Sequence, residues 1–278
     1  MSLFITSLNS GSNGNCYYIG NEREAILIDA GISCREIEKR MKRLGLHMQK
    51  VKAVFVSHEH SDHIKGISVL SKKYNLPVYT TIATLAHGCF RLEEHLVKQF
   101  IAYEQIFVGD ISITPFPKFH DACDPYSFII SSNFINVGVF TDIGMACENV
   151  INHFKQCHAV FLEANYDEEM LERGNYPYHL KKRIRGGLGH LSNKQALDLF
   201  IKYKPAFMTH LFLSHLSKNN NCPQLVSQLF NIHAGKVQII IASREEETPV
   251  FHLKSTIQIR KNIKRASVSI QQLEFSFL

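Results

Sequence analysis

His58-Glu59-His60-Ser61-Asp62-His63 places three imidazoles and two carboxylates within six residues, directly after the apolar run Val51 to Val56. The pattern predicts a buried strand that delivers a loop of metal ligands. Neutral imidazole is the commonest protein ligand for zinc and related ions, and carboxylates complete a set that suits Zn²⁺, Mn²⁺ or Fe²⁺. In extended backbone alternate side chains share a face, so His58 and His60 are placed to grip one ion. Asp62 and His63, at the start of a following helix, are placed to turn towards a second. Ile64 to Leu70 reads as the amphipathic helix that fixes the loop. The competing reading of the cluster is a solvated, His-rich helix start.

His-x-His-x-Asp-His after a hydrophobic strand resembles the signature of the metallo-β-lactamase-fold hydrolases. The resemblance implies an α/β chain folded as a four-layer αββα sandwich, with two divalent metal ions, Zn or Mn, in a dinuclear hydrolytic centre. It also asks for three further ligands in order. Ile111 to Phe119 leads into His120-Asp121, Asn136 to Thr141 delivers Asp142, and Ala206 to Ser217 offers both His210 and His215. The segment Ser214-His215-Leu216-Ser217 is similar to the Thr-His-Phe-Ser segment of tRNA-processing relatives, which favours His215. By this carry-over His58, His60 and His120 hold one ion, Asp62, His63 and His215 the other, and Asp142 bridges them. True β-lactamases of the fold have Cys where Asp142 stands and differ at Asp62-His63, so antibiotic hydrolysis is a poor reading.

Two further segments narrow the branch. Gly189 to Ala196 reads as a Ser-capped helix start with His190 just outside it. In phosphodiesterase members of the fold a His in a similar setting protonates the leaving oxygen, while the plain alternative is a His that caps or packs. Ser7 to Cys16 is a tight polar turn between two strands, read either as a phosphate contact or as an ordinary hairpin. These segments, with Leu27 to Gly31, Thr141 to Gly144 and His215 to Asn220, resemble the YycJ/WalJ branch over about residues 1–250. For that branch the implied activity is a cytoplasmic, metal-dependent 5′→3′ exonuclease acting on DNA through a hydroxide that bridges the ions. Asp62 would orient the hydroxide while ligating, and His190 or a metal-bound water would supply the proton.

Other function classes stay open at this stage. A small-molecule hydrolase of the same fold, acting on a cyclic phosphodiester, thioester or lactone, shares the Asp62-His63 and Asp142 pattern. A metal-stabilised binding or regulatory protein is the non-enzymatic alternative. The basic run Lys181, Lys182, Arg183 and Arg185 just before His190 tilts the reading towards a polyanion; it is either a phosphate-binding segment or a solvated helix face. A second basic group, Lys254, Arg260, Lys261, Lys264 and Arg265, reads as a surface or duplex-tracking patch. The net charge of +6 and pI near 8.9 fall short of a strongly basic nucleic-acid binder, so distribution matters more than total.

The 278 residues, 45% of them hydrophobic, fit one hydrolase domain over 1–278. No apolar run approaches the ~20 residues needed to cross a membrane, and Met1 to Thr6 lacks a basic-then-apolar leader, so the expected location is the cytoplasm without membrane attachment. About 70 residues between Asp142 and His215 leave no room for the large inserted domain of β-CASP-type members. Seven cysteines without a C-x-x-C pair read as reduced thiols, with Cys123 and Cys147, close in sequence to His120 and Asp142, read as buried spectators in preference to supports of the ligands.

The expected strands are Phe4 to Leu8, Cys16 to Ile19, Ala25 to Asp29, Val51 to Val56, Val78 to Thr80, Ile111 to Phe116, Tyr126 to Ile130, Ile135 to Phe140, Ala159 to Glu163, Ala206 to Leu211 and Val237 to Ile241. Helices are expected at Ser33 to Leu44, Thr81 to Arg91, Glu148 to Cys157, Glu168 to Arg173 and Asn193 to Tyr203. Asp29, Asp121 and Glu163 are candidate partners for ligand imidazoles, or else ordinary turn and cap residues.

Overall fold

The computed structural model describes residues 2–254. The first sheet contains β1 (Ser2–Asn9), β2 (Cys16–Gly20), β3 (Ala25–Ile28), β4 (Val51–Phe55), β5 (Val78–Thr80) and β6 (Val97–Gln99). The second contains β7 (Ile106–Val108), β8 (Ile111–Pro117), β9 (Tyr126–Ser132), β10 (Ile135–Phe140), β11 (Ala159–Glu163), β12 (His210–Ser214) and β13 (Gln238–Ile241). The chain then returns to the first sheet as β14 (Phe251–Lys254), so the orders are 14-1-2-3-4-5-6 and 13-12-11-10-9-8-7. The helices are α1 (Cys34–Arg43), α2 (Ser61–Ile64), α3 (Ile67–Tyr74), α4 (Ile82–His87), α5 (Glu148–Phe154), α6 (Glu168–Arg173), α7 (Tyr178–Arg185), α8 (Asn193–Tyr203) and α9 (Pro223–Ala234).

Side-chain alternation builds the layers. In β3, Ile26 and Ile28 point into the core between the sheets, while Ala25 and Leu27 point to the core under α1 and α3. In β11, Ala159 and Phe161 face the first sheet, while Val160 and Leu162 face α5, α8 and α9. Three apolar clusters therefore fill the three gaps of a four-layer αββα sandwich. Strands buried on both faces read as continuous apolar runs, and β2, β3 and β11 are buried at every position.

The topology collects one end of many strands at one edge. β3 and β4 run parallel, as do β10, β11 and β12, and β8 shares the direction of β10 because both are antiparallel to β9. Their carboxyl ends lead to Asp29, His58, His120, Asp142, Glu163 and His215. This is where open α/β sheets place their ligands.

Several boundaries differ from expectation. β12 starts at His210 rather than Ala206, because Pro205 opens a turn in which the Met208 amide donates to its carbonyl. The expected helix to Arg91 stops at His87, where Gly88 takes extended backbone. The helix expected to Cys157 ends at Phe154, and the Ile64 to Leu70 helix is split at Gly66 into α2 and α3. β6, β7, β14 and α9 had no sequence expectation, while the basic run read as a helix face lies in α7; the three strands are only three or four residues long, too short for a period to register. Of the carboxyl-terminal basic group, Lys254 is exposed at the end of β14, and Arg260, Lys261, Lys264 and Arg265 lie outside the described residues.

Candidate metal centre

The loop after β4 and the strand ends of the second sheet bring the histidines together. His58 Nε2 lies 3.1 Å from His60 Nδ1, and His120 Nε2 lies 3.3 Å from the same atom. Partners behind the rings set the tautomers. Ser57 Oγ–H donates to Asp29 Oδ2 at 2.8 Å, so at 2.9 Å it accepts from His58 Nδ1–H, and His120 Nδ1–H donates to the Gly189 carbonyl at 3.1 Å. With both Nδ1 protons spent, the lone pairs of His58 Nε2 and His120 Nε2 meet His60 Nδ1. Ligands about 2.0–2.1 Å from a tetrahedral ion sit about 3.3 Å apart, so this trio fits a divalent metal.

A second trio is formed by Asp62, His63 and His215. His63 Nε2 and His215 Nε2 each lie 3.6 Å from Asp62 Oδ2. Here too the far nitrogens are engaged: His63 Nδ1–H donates to Asp29 Oδ2 at 2.7 Å and His215 Nδ1–H to Glu163 Oε1 at 2.9 Å. Asp142 stands between the trios, Oδ2 being 3.1 Å from His63 Nε2 and Oδ1 3.8 Å from His120 Nε2. Asp142 Oδ2 and His215 Nε2 are buried and have no hydrogen-bond partner among the described residues, and a cation is a group that both would accept. His210 stays at the other end of β12, beside Thr209 and Phe251, away from the cluster.

The electrostatics follow from burial and from these carboxylates. Burial pushes His120 down to about 4, only partly offset by Asp142, and burial with the neighbouring His63 and Lys118 charges holds His58 well below its usual value. For His215 burial works downward too, but Asp142, Asp62 and Glu163 overcome it and raise the imidazole to about 10; Asp142, Asp29 and Asp62 likewise raise His63. Glu163 is held at about 2 against its burial by His190 and His215.

Backbone and turns hold the side chains in place. Asp29, Asp142 and His215, each within two residues of a strand end, adopt left-handed backbone with φ of 60°, 54° and 56°. Such residues cost on the order of 1–2 kcal/mol each and persist where the surroundings dictate them. Gly31 packs so closely on the Asp62 carbonyl that a Cβ there would lie 1.6 Å from its oxygen. The Ser7 to Cys16 turn proves to be neither a bare hairpin nor, through its inward residues, a free surface. Its Asn15 Oδ1 accepts from the Gly11 amide at 3.0 Å, so Nδ2 must face the site, 3.2 Å from Asp62 Oδ2 and 3.1 Å from His63 Nε2. Ser10 Oγ accepts the His215 amide at 2.8 Å. Sequence reasoning missed these two residues, and also Lys118, a buried lysine that donates to the Thr141 carbonyl at 2.7 Å.

Over the centre lies a cavity of about 230 Å³ whose lining includes His60, Asp62, Asp142, His190, His215 and Arg183. His190 Nδ1–H donates to Glu163 Oε1 at 2.8 Å, leaving Nε2 for whatever enters. The basic run forms α7 and divides. Arg183 pairs with Asp121 at the cavity wall, Lys181 reaches the Glu172 carbonyl, Arg185 pairs with the Glu172 carboxylate at 3.0 Å, and Lys182 is exposed. Cys123 is exposed rather than buried and donates to Glu59, because its loop turns outward after His120; Cys147 is half-buried at the start of α5.

The beta-lactamase superfamily domain model matches residues 24–215. Exodeoxyribonuclease YycJ of Bacillus anthracis is 35% identical over 234 residues, 81% of this chain and 86% of its own. Exodeoxyribonuclease WalJ of Streptococcus pneumoniae is 32% identical over 225 residues, 78% of this chain and 83% of its own. The crystal structure of the metallo-beta-lactamase fold protein YhfI from Bacillus subtilis superposes with a TM-score of 0.69 at 17% identity, covering 91% of this chain and all of that one. Among the described residues no helix is long and apolar enough to cross a membrane. With its fold, its clustered donors and these relatives, the chain belongs to the beta-lactamase superfamily, in the YycJ/WalJ group of metal-dependent hydrolases.

Proposed function

We propose that this chain is a dinuclear phosphodiesterase that removes nucleotides from DNA in the 5′→3′ direction. The observation that supports it best is the pair of donor trios flanking Asp142 beneath a cavity that Arg183 and His190 also line. The relatives named as exodeoxyribonucleases point to the same substrate class.

His58, His60 and His120 would hold one ion and Asp62, His63 and His215 the other, with Asp142 shared. Two divalent ions, Zn²⁺ or Mn²⁺, supply Lewis acidity and lower the pKa of water. The protein's own contribution is orientation and proton transfer. Asp62, steadied by Asn15, directs the attacking water at phosphorus; Arg183 draws a phosphate into the cavity; His190, held by Glu163, gives its Nε2 proton to the leaving oxygen. Glu163 serves both His190 and His215, so the acid and a ligand share one carboxylate.

The test is cleavage of 5′- and 3′-labelled duplex and single-stranded DNA by protein loaded with Mn²⁺ or Zn²⁺. We expect stepwise loss from the 5′ end, a fall of at least about 10³-fold with Asp62→Ala, and about 10²-fold with His190→Ala. Metal-loaded protein that leaves DNA intact but hydrolyses a small phosphodiester or thioester would overturn the polymer reading.

A further inference from the structure

A second cavity, of about 330 Å³, adjoins the first and shares Ser217 with it. Both open beside the β1–β2 turn, which gives Ser12 to the cavity over the centre and Ser10 to this one. The wall between them is short. Ser10 holds the amide of His215, and the next residue, Leu216, lines the second cavity.

The lining is of two kinds. Leu216, Pro223, Ile241 and Ala242 make an apolar surface, while Lys218 and Arg244 bring two cations. Arg244 uses Nη2 on the Leu216 carbonyl at 3.0 Å, and neither cation has a carboxylate within ion-pairing distance among the described residues. One acid, the exposed Glu245, also lines the cavity. The volume lies at the low end of the range for small-molecule pockets, too small for a folded partner and matched to one nucleoside.

We propose that this cavity is a deoxynucleotide subsite. Its apolar surface takes the base of the nucleoside next to the scissile phosphate, and Lys218 with Arg244 takes the phosphate on that nucleoside's other side. The inference rests on the DNA reading of the metal centre for its role, yet its chemistry stands apart from that reading. Bases favour contact through their faces, and phosphates favour cations. Neighbouring cavities that share a wall residue are what a polynucleotide requires, because successive nucleotides must occupy successive sites.

The experiment uses metal-free full-length protein, so that neither metal nor turnover enters the readout. Thymidine 5′-monophosphate, thymidine and inorganic phosphate are each titrated into wild type, Lys218→Glu and Pro223→Tyr, with binding followed by calorimetry. We expect the monophosphate to bind more tightly than either fragment, and both variants to weaken it by about tenfold, Lys218→Glu through the phosphate and Pro223→Tyr by filling the cavity. Lys218 is exposed and its side chain has no hydrogen bond or ion pair among the described residues, so that variant stays informative if Pro223→Tyr unfolds. Absence of monophosphate binding, or equal binding by wild type and Lys218→Glu, overturns the subsite. The DNA reading is judged separately, by the labelled-DNA cleavage of the metal-loaded protein.

Discussion

The loop His58 to His63 and helix α7 line the same cavity, yet they are held by different physics. His58 and His63 are fully buried, and the loop is pinned by Asp29, Ser57, Asn15 and the close approach of Gly31. Helix α7 buries no residue, and its side-chain anchors are polar contacts to Glu172 and Asp121 at the surface. A metal centre needs donors fixed to fractions of an ångström, whereas a wall that admits a polymer must yield. The fold assigns rigidity to the first and local looseness to the second.

Hydrogen exchange is the sharpest way to break this contrast. Amides of β4 should exchange at least about a thousandfold more slowly than those of α7 in the same protein. Equal protection would mean that α7 belongs to the rigid frame. Next in size, Asn15→Leu should weaken metal binding by about 10- to 100-fold, measured against a chromophoric chelator, while leaving the protein folded. Unchanged affinity would remove the turn from the description of the centre. On the α7 side, Arg183→Glu should raise the KM for DNA about tenfold and reduce its salt dependence, whereas Lys182→Glu, at an exposed residue that lines neither cavity and has no ion-pair partner among the described residues, should change it less than about twofold.

The smallest effect is a proton count. In the metal-free chain His215 is raised to about 10 from its ordinary 6.5, and His63 is raised as well. The His215 imidazolium therefore adds stability that is fully present below about pH 6.5 and is lost as pH rises through about 10. A metal must displace the proton, so uptake near pH 7.5 should release about two protons, read from calorimetry in buffers of different ionisation enthalpy. Uptake without proton release would show that both imidazoles are already neutral before the metal arrives.

The two regions also differ in how far they could be read in advance. The ligand loop is local: a strand, a His-rich turn and a helix start are contiguous, and resemblance supplied the order of His120, Asp142 and His215. Glu163 and Asp29 were visible as candidates, but their partners lie on other strands and only tertiary pairing reveals them. Asn15 and Ser10 sit in a turn whose composition suits any hairpin, so nothing local marks them as reaching inward. In α7 the charges were legible as a run, whereas their division into one cavity residue, two α6 partners and one exposed lysine depends on helical phase against a surface that the run does not encode.

The left-handed backbone at Asp29, Asp142 and His215 carries a consequence for how this protein can vary. At each position glycine would relax the main chain, but at Asp29 it would leave Ser57 and His63 without their acceptor, and at Asp142 it would remove the carboxylate that His63 and His215 face. The strand ends thus combine strained backbone with buried acceptors, so a substitution that relaxes the one forfeits the other. A screen that rewards heat resistance and a screen that requires bound metal would therefore both hold these three residues in their strained conformation.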